Sequence, residues 1–215
     1  MFNVLPAVLL GLFSLVLLIM GRLGFFSKSK VSLMRLPKGF LVYRLVQCDF
    51  DKIGKEQSAF ITELSRDNML FKDAAIFCIV ATPSKYHLGA KNLFVIGVLV
   101  KDCEEQDDLI SDVIASNQYL YTRMTDDISS YCAAVDLPNR FSIYYAPTKA
   151  YGSLSKRLRA DDTKICDFSM EVQVRSHYFV YQPLEFPDSW NNLFREIVDK
   201  YDVKHPFLLE QLEGF

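Results

Sequence analysis

The side chains best suited to chemistry in this chain are a set of tyrosines and one glutamate in stretches that favour strands. Tyr43, Tyr144 and Tyr181 fall among β-branched and aromatic residues, and Glu171 stands between apolar neighbours in Met170-Glu171-Val172. A carboxylate on a strand, with aromatic rings on the strands nearby, fits a groove for a small apolar or cationic ligand. The rings hold the body of the ligand and the charge fixes its orientation. The same residues also fit tyrosines packed at a sheet edge with their hydroxyls in water, and a glutamate facing solvent. Strand parity separates the two readings, and a slip of one residue reverses the faces.

Other chemistries find little footing. His87, His177 and His205 are isolated and lack metal-ligand spacing, so no metal or cofactor is expected. Asp107-Asp108, Asp126-Asp127 and Asp161-Asp162 are adjacent pairs. Neighbours on a helix or strand point apart, so turns and helix starts explain these pairs better than paired acid/base work. There is no glycine-rich phosphate loop, and Tyr151-Gly152-Ser153 lacks the flanking glycine of a nucleophile elbow. The chain is therefore expected to be no enzyme, with no catalytic residue. A net charge of −2 with mixed signs gives no nucleic-acid footprint.

The elements that would position these residues begin after an apolar run. Val4 to Met20 carries no charge, and the run extends through Phe26 apart from Arg22. Its length approaches the ~20 residues that cross a bilayer as a helix. A cleaved signal peptide would want a basic start and a small-x-small cleavage site, and neither is present. Arg22, Lys28, Lys30, Arg35 and Lys38 lie just C-terminal to the run, which places that side in the cytosol. Cys48, Cys78, Cys103, Cys132 and Cys166 are odd in number and widely spaced, which agrees with a reducing compartment. The expected organisation is an anchor over 1–26, held in the lipid bilayer through residues 4–26. A basic juxtamembrane linker over 27–37, an α+β domain over 38–186, and an amphipathic helix with a short tail over 187–215 follow.

Within the domain, strands are expected at Phe40–Cys48, Ala74–Ala81 and Leu93–Val100, with a helix between Asp51 and Leu70. The second half predicts strands at Tyr119–Met124, Tyr131–Val135 and Phe141–Ala146. A helix over Thr148–Ala160 and a strand pair at Phe168–Val174 and Tyr178–Tyr181 complete it. The order is β-α-β-β twice, which commonly makes one antiparallel sheet with both helices on one face and leaves the other face free to curve around a ligand. Trp190, Leu193, Phe194, Ile197, Val198 and Tyr201 then repeat at helical spacing, with Asp188 or Ser189 as cap.

The anchor, the repeated β-α-β-β order and the closing pattern Glu171-Val-Gln-Val then Tyr178-Phe-Val-Tyr181-Gln-Pro183-Leu184 resemble one family. It is the membrane-anchored GyrI-like proteins of the testis-expressed 264 type, over roughly Lys38 to Leu184. The resemblance implies a GyrI-like double β-α-β-β antiparallel sheet behind one N-terminal transmembrane helix. It implies an endoplasmic-reticulum membrane protein with a cytosolic domain, acting as a receptor or adaptor in selective autophagy of that organelle. Its partners would be ubiquitin-like autophagy modifiers. Across the wider superfamily it implies a small-molecule groove and, in some members, hydrolysis. Hydrolytic members carry a carboxylate two positions before the closing tyrosine, where this chain has Phe179. Family receptors also carry a long disordered extension with an aromatic-x-x-aliphatic motif. Here Trp190-Asn-Asn-Leu193 has that spelling, but Trp190 and Leu193 are also the first two positions of the amphipathic stripe. An extended modifier-binding strand and a packed helix exclude one another.

Overall fold

The computed structural model describes residues 4–22, 25–49, 51–67, 71, 74–80, 92–101, 119–161, 168–191 and 193–195. Sequence expectations for Thr82–Gly89, the acidic connection after Lys101, Cys103, Cys166, His87, His205, Asp107-Asp108, Asp162 and everything after Arg195 lie outside the described residues.

The first helix, α1, spans Val4–Arg22 with no acid in its first turn and Arg22 in its last. Its 19 residues correspond to a length of about 28 Å at 1.5 Å per residue. The side chains described along it, from Leu9 to Ile19, stand bare, with Leu10 70% and Phe13 62% exposed. Among the described residues no helix is long and apolar enough to cross a membrane.

The strands are β1 Ser29–Arg35, β2 Gly39–Cys48, β3 Ala75–Val80, β4 Asn92–Lys101, β5 Leu120–Met124, β6 Ser129–Asp136, β7 Ser169–Val174 and β8 His177–Pro183. They form one eight-stranded sheet in the order β1-β6-β8-β7-β3-β4-β2-β5, and each pairing is antiparallel. Helix α2 is Ile53–Asp67 and helix α3 is Ala146–Asp161, with a 3-10 turn at Arg140–Tyr144 leading into α3. This is an α+β fold in which the expected β-α-β-β order occurs twice, each time preceded by one further strand, with both helices on one face.

The strand order carries a further regularity. Exchanging β1 with β5, β2 with β6, β3 with β7 and β4 with β8, and reading the sheet from its other edge, returns the same order. The two repeats are therefore β1-β2-α2-β3-β4 and β5-β6-α3-β7-β8, and each lends its leading strand to the other's edge. Cys78 and Glu171 form the middle pair of the central β3–β7 ladder.

Alternation along the strands sorts the core into two faces. On the helix side, Phe60 and Leu64 of α2 pack on Val42, Phe94, Ile96 and Val98. Ala146, Ala150 and Leu154 of α3 pack on Ala133, Val135 and Val180. On the opposite side Leu41, Tyr43, Phe77, Val95, Val172 and Tyr181 meet Trp190, Leu193 and Phe194. Residues 189–191 and 193–195 are helical. Asp126 Oδ2 accepts the Ser189 N–H at 2.8 Å and so caps that helix. Phe194 lies 4.6 Å from Phe168 and 5.4 Å from Phe186, ring centre to ring centre.

Three sequence expectations are corrected. Residues 27–37 are not a linker, because Ser29–Arg35 pairs with β6 along its whole length as an edge strand. Residues 141–146 are not a strand. Asn139 accepts the Phe141 N–H at 2.9 Å, which caps a 3-10 turn, and Pro147 sits in the first turn of α3, where its missing N–H costs nothing. The face away from the helices is not free, because the segment from Phe186 to Phe194 covers it.

Candidate functional site

With one face covered by the Trp190 segment, an open concavity lies on the other, between α2 and α3. It is a groove of about 810 Å³, within the usual ligand-site range of roughly 300–1,000 Å³. Gln57, Ser58 and Ile61 of α2 form one wall, and Asn139, Ile143 and Tyr144 with Pro147 form the other. Ile76 and Cys78 of β3, Glu171 and Gln173 of β7 and Tyr178 of β8 make the floor. The walls stand apart because each helix packs on its own half of the sheet, leaving the central ladder uncovered.

Glu171 is the charged group of that floor. Tyr151 of α3 donates its hydroxyl to Glu171 Oε1 at 2.7 Å and lies 2.8 Å from Ser169 Oγ. Desolvation raises the Glu171 pKa, and the phenols beside it lower it. The Tyr178 hydroxyl is buried and meets no partner in hydrogen-bond geometry, yet it lies close enough for the Glu171 charge, after desolvation, to push its pKa up. Desolvation, then the same charge, raises Tyr151 well above its ordinary value. Both phenols therefore stay neutral donors. Desolvation and Glu171 also push the Cys78 thiol well up, so it remains protonated. Among the described residues no cation forms an ion pair with Glu171. The result is a partly open carboxylate in a low-dielectric groove, with the Tyr151 phenol bonded to it and the buried Tyr178 phenol beside it. Such a site favours a positive or hydrogen-bond-donating ligand with an apolar body.

Arg175 stands at the rim with a φ of 49°. An L-residue rarely adopts that conformation outside tight turns, and here the β7–β8 hairpin imposes it.

The four residues expected to form a groove do not come together. Glu171 lies on the floor and Tyr144 at the rim, carried by the 3-10 turn. Tyr43 and Tyr181 lie on the opposite face, buried beneath the Trp190 helix. Strand parity is the physical reason: Tyr181 is an odd number of residues from both Tyr178 and Gln182, which share the helix face, so it points away. Cys132 and Tyr181 are cross-strand partners. Burial pushes the Cys132 thiol up to about 11. The expected modifier-binding pair, Trp190 and Leu193, is fully buried and helical, so in this fold it is not an extended, free segment. His177 lies at the start of β8, 3.5 Å from an Asp136 oxygen. Asp127 pairs with Arg35.

Tyr151 and Tyr178 are the site residues that sequence reasoning missed. Tyr151 follows the Ala146, Ala150, Leu154 stripe by one position after Ala150. Small residues at that stripe let α3 approach the sheet, and its neighbour then reaches the central strands.

No protein-family model matches the chain, and no curated protein matches it. Solved structures do match. The C-terminal domain of EcmrR is 14% identical over 72% of this chain and 96% of its own, with a TM-score of 0.46. EcmrR in a DNA-bound transcription complex is 13% identical over 72% of this chain and 57% of its own, with a TM-score of 0.48. SAV2435 bound to tetraphenylphosphonium is 9% identical over 72% of this chain and 93% of its own, with a TM-score of 0.44.

Proposed function

We propose that this chain is a membrane-tethered binding module for a small apolar cation, held in the groove between α2 and α3 with Glu171 as its counter-charge. The observation that carries the reading is the Glu171 carboxylate, desolvated, bonded by Tyr151 and without a partner cation among the described residues. Holding such a charge in a low-dielectric groove is unfavourable unless something repays it, and a bound cation does. The exposed apolar length of α1 supports the tether, and the basic residues after it support a cytosolic domain.

Placement in the endoplasmic reticulum and a receptor or adaptor role in its autophagy rest on the family resemblance. That role is the second reading, favoured by the spelling Trp190-Asn-Asn-Leu193. It requires these residues to leave the core in which both are fully buried.

The test uses the full chain in lipid nanodiscs and a pair of rigid ions of the same shape, tetraphenylphosphonium and tetraphenylborate, by equilibrium dialysis. The cation binds and the anion does not. A charge-assisted contact is worth about 1.5–3 kcal/mol net, so Glu171→Gln weakens the cation by roughly 10- to 150-fold. Equal binding of the two ions, or an unchanged affinity in Glu171→Gln, overturns the assignment.

A further inference from the structure

The base of α1 is fastened to the wall of the groove. Asn139 Nδ2 donates to the Arg22 carbonyl. Lys149 Nζ donates to the Ser27 carbonyl at 3.2 Å and lies 2.9 Å from Ser27 Oγ. The same ammonium sits 5.9 Å from the centre of the Phe25 ring, which meets Tyr145 edge-on at 5.8 Å. Asn139 and Lys149 bracket the 3-10 turn, and Asn139, Ile143 and Tyr144 line the groove. The segment walling the ligand site is thus clamped to the point where α1 leaves the domain.

Around this clamp the aromatic side chains stand in the open. Phe26 is 58%, Phe141 56% and Tyr144 77% exposed. Phe25 and Tyr145 beside them are 43% and 39% exposed, whereas Trp190, Phe60, Phe71, Phe77, Phe94 and Phe168 are buried in the core and Tyr121 at the far edge stands alone at 53%. Bare rings gathered at one place fit an interface better than water. Tyrosine and phenylalanine beside lysine and arginine are the chemistry of a bilayer's headgroup layer. Arg22, Lys28 and Lys30 supply the cations, which suit anionic lipid.

We propose that the 3-10 turn Arg140–Tyr144 is a second membrane contact, with Phe141 and Tyr144 resting in the headgroup layer beside the exit of α1. The occupant of this surface is the lipid layer itself. It rests on the reading of α1 as a membrane span, and the surface is continuous with that span through Phe25 and Phe26. One wall of the groove then lies at the membrane surface, and an amphiphilic cation that partitions into the headgroups reaches Glu171 without crossing bulk water.

The test reconstitutes the full chain into phosphatidylcholine vesicles containing phosphatidylserine, with or without brominated acyl chains near the headgroup. Bromine quenches nearby indole. Trp190 is the sole tryptophan and is fully buried on the opposite face of the sheet, so the unsubstituted chain supplies the baseline. Tyr144→Trp and Phe141→Trp report on the turn. Tyr121→Trp, on β5 at the far edge and 53% exposed, is the control. Emission from the two turn variants is lost to brominated lipid beyond the baseline, while Tyr121→Trp behaves like the unsubstituted chain. Vesicle flotation separates the two readings. Protein that floats while both turn variants stay unquenched overturns the second contact and leaves the span standing. Protein that does not float overturns both.

Discussion

Replacing Trp190 by alanine asks whether that side chain is core or recognition motif. The indole is fully buried. It lies 6.0 Å from Phe194 and 6.1 Å from Phe186, edge-on to both. Its Nε1 makes no hydrogen bond, so no bond is lost with the ring. Truncating a buried tryptophan costs about 3–5 kcal/mol in transfer and cavity energy. In a domain of this size each kcal/mol moves the midpoint by about 2–4 °C, so Trp190→Ala lowers Tm by roughly 6–20 °C. The assay is thermal unfolding of the full chain in nanodiscs, followed by near-ultraviolet circular dichroism, with binding to ubiquitin-like autophagy modifiers measured beside it. Trp190→Phe keeps most of the volume and falls by much less. A melting curve that Trp190→Ala leaves within about 2 °C of the unsubstituted chain would refute the core assignment. If modifier binding vanished at the same time, the residue would be an exposed anchor of the receptor type.

Two further outcomes follow from the same geometry. The folded state raises the Glu171 pKa from 4.5, so it binds that proton more tightly than the unfolded chain does. The favourable contribution is then complete below the unfolded value and is lost as pH rises through the folded one. Glu171→Gln therefore stabilises the ligand-free protein at neutral pH and flattens the stability profile in the weakly acidic range above pH 4.5, read by denaturant unfolding across pH; a profile identical to the unsubstituted chain's counts against it. Gly97→Ala would set a Cβ 2.1 Å from the Val42 carbonyl oxygen and 2.9 Å from the Tyr43 Cα. Backbone cannot yield as a flexible side chain can, so the cost reaches about 3 kcal/mol or more, seen as a lower urea midpoint; an unchanged midpoint would contradict the close approach of β2 and β4.

The parts of the fold legible in the sequence are those with a strong period. The apolar run of α1, the repeated β-α-β-β order and the Trp190 stripe each stand out, and the structure forms helix or strand there, for the stripe over its described residues 189–191 and 193–195. Edges and caps were harder to read. The strand β1, Ser-Lys-Val-Ser-Leu-Met-Arg, is mostly exposed, and its lysine, arginine and serines read as a basic linker. That is the usual disguise of an edge strand, where charge discourages pairing with other chains. At 141–146 the aromatic and β-branched residues suggested a strand. The overriding signals, Asn139 as cap and Pro147 in a first helical turn, were present in the sequence and outweighed intrinsic propensity. The site was half legible. Glu171 stood out because a carboxylate between apolar strand residues is costly. Tyr43 and Tyr181 were placed with it because parity cannot be assigned before the register is known, and the register depends on which face the Trp190 helix covers.

The groove's position and its charge have different origins. The repeat fixes the position: two like halves, each with a helix on its own part of the sheet, leave a gap over the ladder where they meet. The middle pair of that ladder is Cys78 and Glu171, so the pseudo-two-fold of the strand order passes between them. A symmetric assembly would set two equal groups there. Two carboxylates so close would repel, and one would hold its proton at neutral pH. Two thiols would leave the floor without charge. This chain has one of each, a thiol kept neutral by burial and a carboxylate supported by Tyr151 from the second half alone. Departure from the repeat at a single central pair thus turns a gap that any such duplication would leave into a groove carrying one negative charge. Cys78→Glu would restore the symmetry. It places two acids against one another, raises the pKa of the pair, and weakens a monocation at neutral pH even though it adds a carboxylate.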